Sequence, residues 1–131
     1  MKLLIDTHVL LWLVDEASVA RIPLATAATL RQPENDLLVS AITSWELSLK
    51  YWLGKLPEAR ILLAAWSLVV SRLRMTVVPL TDVHGILAGQ LDWDHKDPFD
   101  RMIAAQSVLE SATLVSADTA FDTAHGVHRL W

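Results

Sequence analysis

The chain has 131 residues, a length that fits one domain built around one hydrophobic core. Hydrophobic residues make up 53% of it, so an intrinsically disordered chain is excluded. The absence of cysteine excludes disulfides and thiolate metal sites and is typical of proteins of a reducing cytoplasm. The net charge of −4 is unusual for a passive nucleic-acid binder, but it is compatible with clustered carboxylates that bind divalent cations.

No segment of the sequence is typical of a targeting or membrane-spanning element. The apolar run at the N-terminus resembles a signal peptide, but Asp6 and His8 interrupt it and no small-residue cleavage site follows. The longest other apolar segment, Ile61–Val70, is well short of the roughly 20 residues that cross a bilayer. We therefore expect a cytoplasmic protein that forms a single domain over residues 1–131, with no membrane contact.

Short apolar segments alternate with helical patterns along the chain. In chain order, the first half predicts a strand at Leu3–Ile5, helices at Thr7–Val14 and Leu24–Arg31, a strand at Asp36–Ser40 and a helix at Ala41–Leu53 ended by Gly54. The second half predicts a helix at Glu58–Arg74, a strand at Thr76–Pro79, helices at Asp82–Gln90 and Pro98–Ser111, a strand at Thr113–Val115, a helical turn at Asp118–Asp122 and an edge strand at Val127–Leu130. This alternation predicts an α/β protein with three layers, α/β/α, around a mainly parallel sheet of about four to five strands.

Four acidic residues follow predicted strands or open the helix after them, namely Asp6, Glu46, Asp100 and Asp118. In open α/β sheets, ligands bind in the crevice outside the carboxyl ends of the strands. Each acid also has an ordinary structural explanation. Asp6 and Asp118 would cap helices, Glu46 would complete a capping box with Thr43, and Asp100 would face the positive end of a helix macrodipole.

Glu46 is the most informative of the four. The residues on its helix face, Ile42, Leu49 and Leu53, are apolar, and a carboxylate there is costly unless a cation or hydrogen bonds receive it. Lys50, four residues later, would be the ordinary partner. Four carboxylates that meet in one crevice repel one another, and such clusters persist chiefly where a hard divalent cation binds.

Sequence motifs for other kinds of chemistry are absent. The five histidines show no H-x-H or H-x-x-x-H spacing, so a zinc site is not expected. There is no P-loop, no G-x-G-x-x-G and no G-x-S-x-G motif, which excludes the common nucleotide-binding and Ser-His-Asp patterns. A carboxylate site for Mg²⁺ or Mn²⁺ without a nucleotide-cradling loop predicts metal-assisted phosphoester hydrolysis.

Four segments of the chain resemble PIN-domain proteins, and most of all the VapC-type toxins of bacterial toxin–antitoxin pairs. They are LLIDTHVLLW (Leu3–Trp12), SAITSWELSLK (Ser40–Lys50), HKDPFDRMIAAQS (His95–Ser107) and LVSADTAFDTAHGVHRLW (Leu114–Trp131), which together cover essentially the whole chain in order. The resemblance implies a Mg²⁺- or Mn²⁺-dependent endoribonuclease that cuts in line and leaves a 5′-phosphate and a 3′-hydroxyl. It also implies inhibition by a cognate antitoxin, a homodimer and, in the complex, a larger toxin–antitoxin hetero-oligomer.

The resemblance implies roles for single residues as well. The family's acidic quartet falls on the same four acids, with Asp6, Glu46 and Asp100 as ligands of the principal metal and Asp118 orienting the attacking water or a second metal. Thr7 and Ser116 would support this site, and many relatives carry threonine where this chain has Ser116. Asp122, one helical turn past Asp118, is a weaker candidate for the site.

The two aspartates of HKDPFDR separate by role. Pro98 suits the first helical position, because its missing N–H would be unpaired there in any case. Asp97 is then the helix N-cap, and Asp100 is the third helical residue, where the macrodipole favours the ionised form that a metal needs.

Basic and aromatic residues suggest further contacts. Lys50, Lys96 and Arg101 are candidates for binding RNA phosphates, although pairing with nearby acids is their ordinary role. His8 and His95 flank two of the acids and would either contact substrate or be structural. Most of the 6 tryptophans are expected to pack in the core. The apolar surplus around Trp45, Leu49, Trp52 and Leu53 and along Ile61–Val70 predicts a groove for an antitoxin helix or strand, with RNA stacking the less favoured use.

Two other functions stay open. One is a catalytically silent PIN-like module that binds an antitoxin in a DNA-bound repressor complex. The other, more distant, is a receiver-like phosphoacceptor, which also gathers acids at strand ends. That function would need paired acids after the first strand and a lysine after a late one, and Asp6-Thr7-His8 and Ser116-Ala117-Asp118 provide neither.

Overall fold

The computed structural model describes residues 1–131 and contains five strands and seven α-helices. The strands are β1 (Lys2–Ile5), β2 (Asp36–Ser40), β3 (Met75–Val78), β4 (Thr113–Val115) and β5 (Arg129–Leu130). The helices are α1 (Thr7–Val14), α2 (Leu24–Leu30), α3 (Ala41–Trp52), α4 (Ala59–Ala64), α5 (Trp66–Arg72), α6 (Asp82–Gln90) and α7 (Pro98–Leu109). Short 3₁₀ helices lie at Val19–Arg21 and Thr119–Thr123.

The five strands form one parallel sheet in the order β3-β2-β1-β4-β5. Leu4 of β1 is in register with Leu38 of β2 on one side and with Leu114 of β4 on the other. The chain moves outward from β1 through β2 to β3, and then crosses back to place β4 on the far side of β1. β1 is therefore the topological switch point, beside which ligands bind in sheets of this kind.

The sheet is covered on both faces because alternate strand side chains point to opposite sides. Leu3 and Ile5 belong to a core of 14 buried residues that includes α1 and α4, whereas Leu4 belongs to a second core of 12 buried residues that includes α7. The predicted three-layer α/β/α architecture with a parallel sheet is confirmed.

The predicted elements are all present, with ends shifted by one or two residues, except that one helix is divided in two. Instead of a single helix over Glu58–Arg74, the chain leaves helical geometry at Ala65, where φ is −113° and ψ is 19°. The division lets α4 pack on α3 while α5 packs on β3, which no single straight helix would do. None of the helices has both the length and the apolar character needed to cross a membrane.

The end of α3 follows the sequence signal. Gly54 has a φ of +73°, in the left-handed region that favours glycine, and the Lys55 N–H donates to the Lys50 carbonyl at 2.9 Å. This confirms Gly54 as the residue that ends α3, and it fixes the length of the helix that carries Glu46.

Candidate active site

The fold brings the predicted acids to one edge of the sheet. Asp6 directly follows β1, and Asp118 follows β4 after two intervening residues. Glu46 lies in the second turn of α3, which starts immediately after β2. Helix α7 leads into the N-terminal end of β4, so its own N-terminus, with Asp100, returns to the carboxyl edge of the sheet. Parallel strands and the helices between them thus explain why acids so far apart in sequence come together.

Asp6 is buried, with 7% of its surface exposed, and both of its carboxylate oxygens accept hydrogen bonds. The Thr7 N–H donates to Oδ1 and the Ser116 hydroxyl donates to Oδ2, each at 2.7 Å. Burial raises the pKa of Asp6 above its ordinary value, the two hydrogen bonds oppose this rise, and the negative charge of Glu46 adds to it. Thr7 and Ser116, the two residues predicted to support this site, therefore both donate hydrogen bonds to Asp6.

Glu46 is 4% exposed, and both of its oxygens are also bound. The Thr7 hydroxyl donates to Oε2 at 2.5 Å and the Lys50 ammonium to Oε1 at 2.5 Å. The capping-box explanation for Glu46 is wrong, because α3 begins at Ala41 and its N-cap is Ser40, whose Oγ accepts from the Ile42 N–H. Glu46 is therefore a buried carboxylate that points into the site rather than a cap.

Lys50 forms the ordinary helix pair with Glu46. Partial burial disfavours its charged form, but the hydrogen bond and charge of Glu46, followed by the charges of Asp97 and Asp100, raise its pKa above the usual value. The ammonium also lies 5.8 Å from the centre of the Phe99 ring. A cation at Glu46 would compete with Lys50 for the same carboxylate, so its predicted role as a phosphate contact depends on its release from Glu46.

The aspartates of HKDPFDR have the predicted arrangement. Asp97 is the N-cap of α7, and its Oδ1 accepts from the Phe99 N–H at 2.8 Å and from the Asp100 N–H at 3.3 Å, with Pro98 as the first helical residue. Asp100 Oδ2 lies 2.6 Å from His95 Nε2. The pKa of Asp100 is raised to about 6. Burial is the largest cause and the charges of Asp97 and Asp6 add to the rise, whereas the hydrogen bond with His95 opposes it. The charge of Asp6 acts on Asp100, so the two carboxylates lie in one electrostatic environment.

Asp118 is the most open of the four acids. It is exposed and caps the second 3₁₀ helix through Oδ1, which accepts from the Ala120 N–H at 2.8 Å. Its own N–H donates to the Ser116 hydroxyl at 3.1 Å, so Ser116 links the Asp118 segment to Asp6. Asp118 therefore caps a helix, which is its ordinary role, and also lies at the edge of the site.

Asp122 is engaged away from this cluster. The Arg129 guanidinium binds both of its oxygens, at 2.7 and 2.8 Å, and this pairing lowers the pKa of Asp122 below its ordinary value. Arg129 also donates to the Ser116 carbonyl at 3.0 Å. The pair ties β5 to the segment after β4, and Asp122 has no donor or acceptor partner among the four site acids.

The predicted role of Arg101 as a phosphate contact is wrong. Its guanidinium donates to four backbone carbonyls in the segment before α7, at 2.8 to 2.9 Å, and is not free to bind RNA. Lys96, in contrast, is exposed and forms no ion pair, and it remains the free cation closest in sequence to Asp100. His95, whose role the sequence left open, is a direct partner of Asp100, and no sequence signal other than its closeness to Asp97 indicated this contact.

The predicted apolar groove is present in part. A groove of about 880 Å³ runs between α1 and the α4–α5 pair; its apolar lining includes Leu11, Trp12, Ile61 and Leu68. Trp45 and Trp52 do not line it; they are 57% and 79% exposed on α3. The other four tryptophans pack against the two cores, as expected of most of them.

Comparison with known proteins identifies the family. The sequence model of the PIN domain matches residues 3–126. The chain belongs to the PIN domain family. PIN domains are generally nucleases, which places the chain among hydrolases of the nuclease kind. No protein of curated function matches the sequence.

Solved structures share the PIN fold of this chain. A chain of VapBC2 from Rickettsia felis, bound to a DNA fragment from their promoter, superposes with a TM-score of 0.73 at 17% identity, over 99% of this chain and 98% of that one. VapBC-1 from nontypeable Haemophilus influenzae gives 0.70 at 20%, over 99% and 97%. FitAcB from Neisseria gonorrhoeae gives 0.63 at 21%, over 98% and 96%. At these identities the shared feature is the fold.

PIN nucleases typically use divalent metal ions, and the donor set of this chain fits one. Asp6, Glu46 and Asp100 offer only carboxylate oxygens, the ligands that Mg²⁺ and Mn²⁺ prefer. As the side chains are placed, no three histidine or acidic side chains form a group that would hold a metal ion. Glu46 is paired with Lys50 and Asp100 with His95 instead, so a cation would have to draw these carboxylates toward Asp6.

Proposed function

We propose that this PIN domain, formed by residues 1–131 as a single unit, is a Mg²⁺- or Mn²⁺-dependent endoribonuclease and the toxin of a toxin–antitoxin pair. One observation carries the proposal. Carboxylates that follow β1 and lie on α3 and α7 come together at the carboxyl edge of a PIN fold, where Glu46 raises the pKa of Asp6 and Asp6 raises the pKa of Asp100. Such repulsion is relieved by a divalent cation.

The residues have distinct roles in this proposal. Asp6, Glu46 and Asp100 hold the principal metal, and Thr7 and Ser116 keep the first two carboxylates in place through their hydroxyl groups. A bound cation would lower the pKa of its water and stabilise the charge that develops at phosphorus. Asp118, exposed at the open side, orients the attacking water or a second cation. Cleavage in line would leave a 5′-phosphate and a 3′-hydroxyl.

RNA binding must overcome the net charge of −4. Lys96 is exposed beside the loop that carries His95, and Lys50 is held near Asp97 and Asp100. Both are proposed to contact RNA phosphates, whereas Arg101 is not. A cation held by Asp6, Glu46 and Asp100 would add to the attraction for the RNA backbone.

The groove between α1 and α4–α5 is the proposed docking site for an antitoxin helix. Its apolar residues suit the apolar stripe of an amphipathic helix, and Arg21 and Arg72 on one hand and Asp15, Glu16 and Glu58 on the other supply charges of both signs at its sides. The VapBC and FitAB structures, which contain toxin and antitoxin together, support a partner of this class. We also propose a cytoplasmic homodimer that joins its antitoxin in a larger hetero-oligomer.

The direct test uses purified protein freed of any antitoxin. With Mg²⁺ or Mn²⁺ it should cut RNA, and Asp6→Ala and Asp100→Ala should abolish cutting, while Asp97→Asn serves as a control that keeps the helix cap. The products should carry a 5′-phosphate and be ligatable without prior phosphorylation. Cleavage that persists in EDTA, or that survives Asp6→Ala, would contradict the proposal.

A second function is favoured by one observation, which is that no three acids are gathered into a metal-binding group as they stand. It is a catalytically silent PIN module that binds an antitoxin in a DNA-bound repressor complex. Titration calorimetry with Mn²⁺ separates the two functions. An antitoxin complex that forms normally around a chain with no metal binding would select the silent module.

A further inference from the structure

The loop between α6 and α7 is held in one path by Arg101. Its Nε donates to the Ala88 carbonyl, one terminal nitrogen to the Trp93 and His95 carbonyls, and the other to the Leu91 carbonyl, at 2.8 to 2.9 Å. Four N–H donors on one rigid, planar group hold the last turn of α6 and three points of the following segment, which has no regular secondary structure. A lysine at this position would have a single nitrogen and would not reproduce the fork.

Within this loop, Trp93 fixes the plane of the His95 ring. Trp93 is 9% exposed, and its indole N–H donates to the Thr123 hydroxyl at 2.9 Å. The His95 imidazole stacks on it, with ring centres 4.3 Å apart and an angle of 22° between the planes. The indole itself packs against Phe121, 5.5 Å away. The imidazole therefore rests on a core residue rather than extending freely into solvent, as an ordinary surface histidine does.

The ring so placed reaches Asp100. His95 Nε2 is 2.6 Å from Asp100 Oδ2, and because a carboxylate only accepts, Nε2 carries the proton of this hydrogen bond. Asp97 holds the backbone N–H of Asp100, so the two contacts fix the backbone and the side chain of the same residue separately. Asp100 Oδ1 receives no hydrogen bond from the protein.

We propose that His95 is a positioning residue of the metal site. It holds one carboxylate oxygen of Asp100 and leaves the other for the cation. The contacts of Arg101 and Trp93 fix the orientation of the His95 imidazole. The inference rests on the proposed function, since it concerns the metal that Asp100 would bind. Hydrogen-bonding partners that orient metal ligands typically contribute about 10- to 100-fold to metal affinity.

The experiment measures Mn²⁺ affinity by titration calorimetry or by electron paramagnetic resonance of free Mn²⁺, on the full chain without antitoxin. His95→Ala should weaken Mn²⁺ binding about ten-fold or more. His95→Gln places an amide N–H near the position of Nε2 and should restore affinity to within about three-fold of the wild type. His125→Ala removes an exposed histidine that makes no hydrogen bond, and it should leave affinity unchanged.

Arg101→Lys tests the same inference in a second way. It should weaken Mn²⁺ binding in the same direction, and it should add little to the effect of His95→Ala in the double variant, because both act through the aim of one side chain. Thermal unfolding of each variant reports whether it folds. If His95→Ala or Arg101→Lys does not fold, the comparison of His95→Gln with the wild type decides instead.

The outcomes are distinct. Binding that is weak in His95→Ala and restored in His95→Gln supports the inference. Wild-type affinity in His95→Ala, together with loss of binding in Asp100→Asn, overturns the inference but leaves the proposed function standing. Equal weakening by Ala and Gln also overturns it, since a hydrogen bond would then not be the cause. A wild-type chain that binds no Mn²⁺ overturns both the inference and the proposed function.

Discussion

The acidic site has a buried half and an open half, and they are built differently. In the buried half, Asp6 and Glu46, all four carboxylate oxygens accept a hydrogen bond from the protein. In the open half, Asp100 and Asp118, the protein binds one oxygen of each and leaves the other without a donor. The buried half is 4 to 7% exposed, whereas Asp118 is open to solvent.

This difference indicates a division of labour. Ionised carboxylates are costly to bury, so the buried half is stable only with the hydrogen bonds that Thr7, Ser116 and Lys50 donate to it. The same donors place its oxygens before any ligand arrives. The open half keeps coordination capacity free, and it is the side of the site that is more exposed to solvent. In the proposed nuclease, the buried half would therefore set the position of a cation, and the open half would meet the reacting groups.

The largest expected effect separates two aspartates at the start of α7. Asp100→Asn removes a carboxylate of the open half and should lower RNA cleavage by more than about 100-fold, since metal-held charge stabilisation amounts to several kcal/mol. Asp97→Asn should keep activity within about three-fold, because asparagine caps a helix as well as aspartate does. Rates under single-turnover conditions with Mn²⁺ decide. If the two variants exchange these effects, the ligand is one helical turn away from where we place it.

The next effect removes the Thr7 hydroxyl, which donates to Glu46 in the buried half. Thr7 is 1% exposed, and Thr7→Val keeps the shape of the side chain while removing the donor to Glu46. A buried carboxylate oxygen left without its donor should lower the free energy of unfolding by about 2 kcal/mol. Thr119→Val, in an exposed residue of the open side, is the matched control and should change it by less than about 0.5 kcal/mol. Urea unfolding measures both, and equal effects would remove the distinction between the halves.

The sequence predicted the parts of this molecule that depend on local patterns. Apolar periodicity located the strands, and Pro98 with Asp97 located the start of α7, because both signals act within one helical turn. The four acids were predicted to lie near one another because the carboxyl ends of parallel strands share one edge of the sheet. The division at Ala65 was missed because no proline or glycine marks it; it arises from what α4 and α5 pack against.

The role of Arg101 was missed for a related reason. Its four acceptors are backbone carbonyls, one in α6 and three in the loop after it, and any sequence offers such carbonyls. The stacking of His95 on Trp93 depends in turn on the path that Arg101 imposes. Side-chain identity predicts what a residue is able to bind, but only the assembled loop determines which partner is within reach.

A smaller effect concerns the pH dependence of stability in the open half. The pKa of Asp100 is about 6 in the folded protein and 3.8 ordinarily, so between these values the folded state binds more protons than the unfolded state. The contribution of Asp100 to stability is therefore unfavourable at pH 7.5 and is relieved as pH falls through 6. Relative to Asp100→Asn, the wild type should gain about 1 kcal/mol between pH 7.5 and pH 5, after allowance for partial exposure.

This measurement is made by urea unfolding of both proteins without divalent cations. The comparison with Asp100→Asn cancels the pH dependence of groups that do not interact with Asp100. Asp6 does interact with it, and its raised pKa acts in the same direction, so the difference reports the two carboxylates together. Identical curves for the two proteins would mean that Asp100 is hydrated more fully than its place beside His95 and Asp6 indicates.

The smallest effect tests whether the open half is also where RNA enters. Lys96 is exposed, has no ion-pair partner and precedes the cap of α7, so Lys96→Ala should raise KM for RNA about two- to five-fold while leaving kcat unchanged. Lys55→Ala is the matched control: Lys55 is also exposed but follows the far end of α3, which runs away from the carboxyl edge. The Lys96 effect should fade as salt rises, since phosphate contacts are screened. An unchanged KM in Lys96→Ala, or an equal rise in Lys55→Ala, would mean that RNA reaches the acids from the side of the buried half.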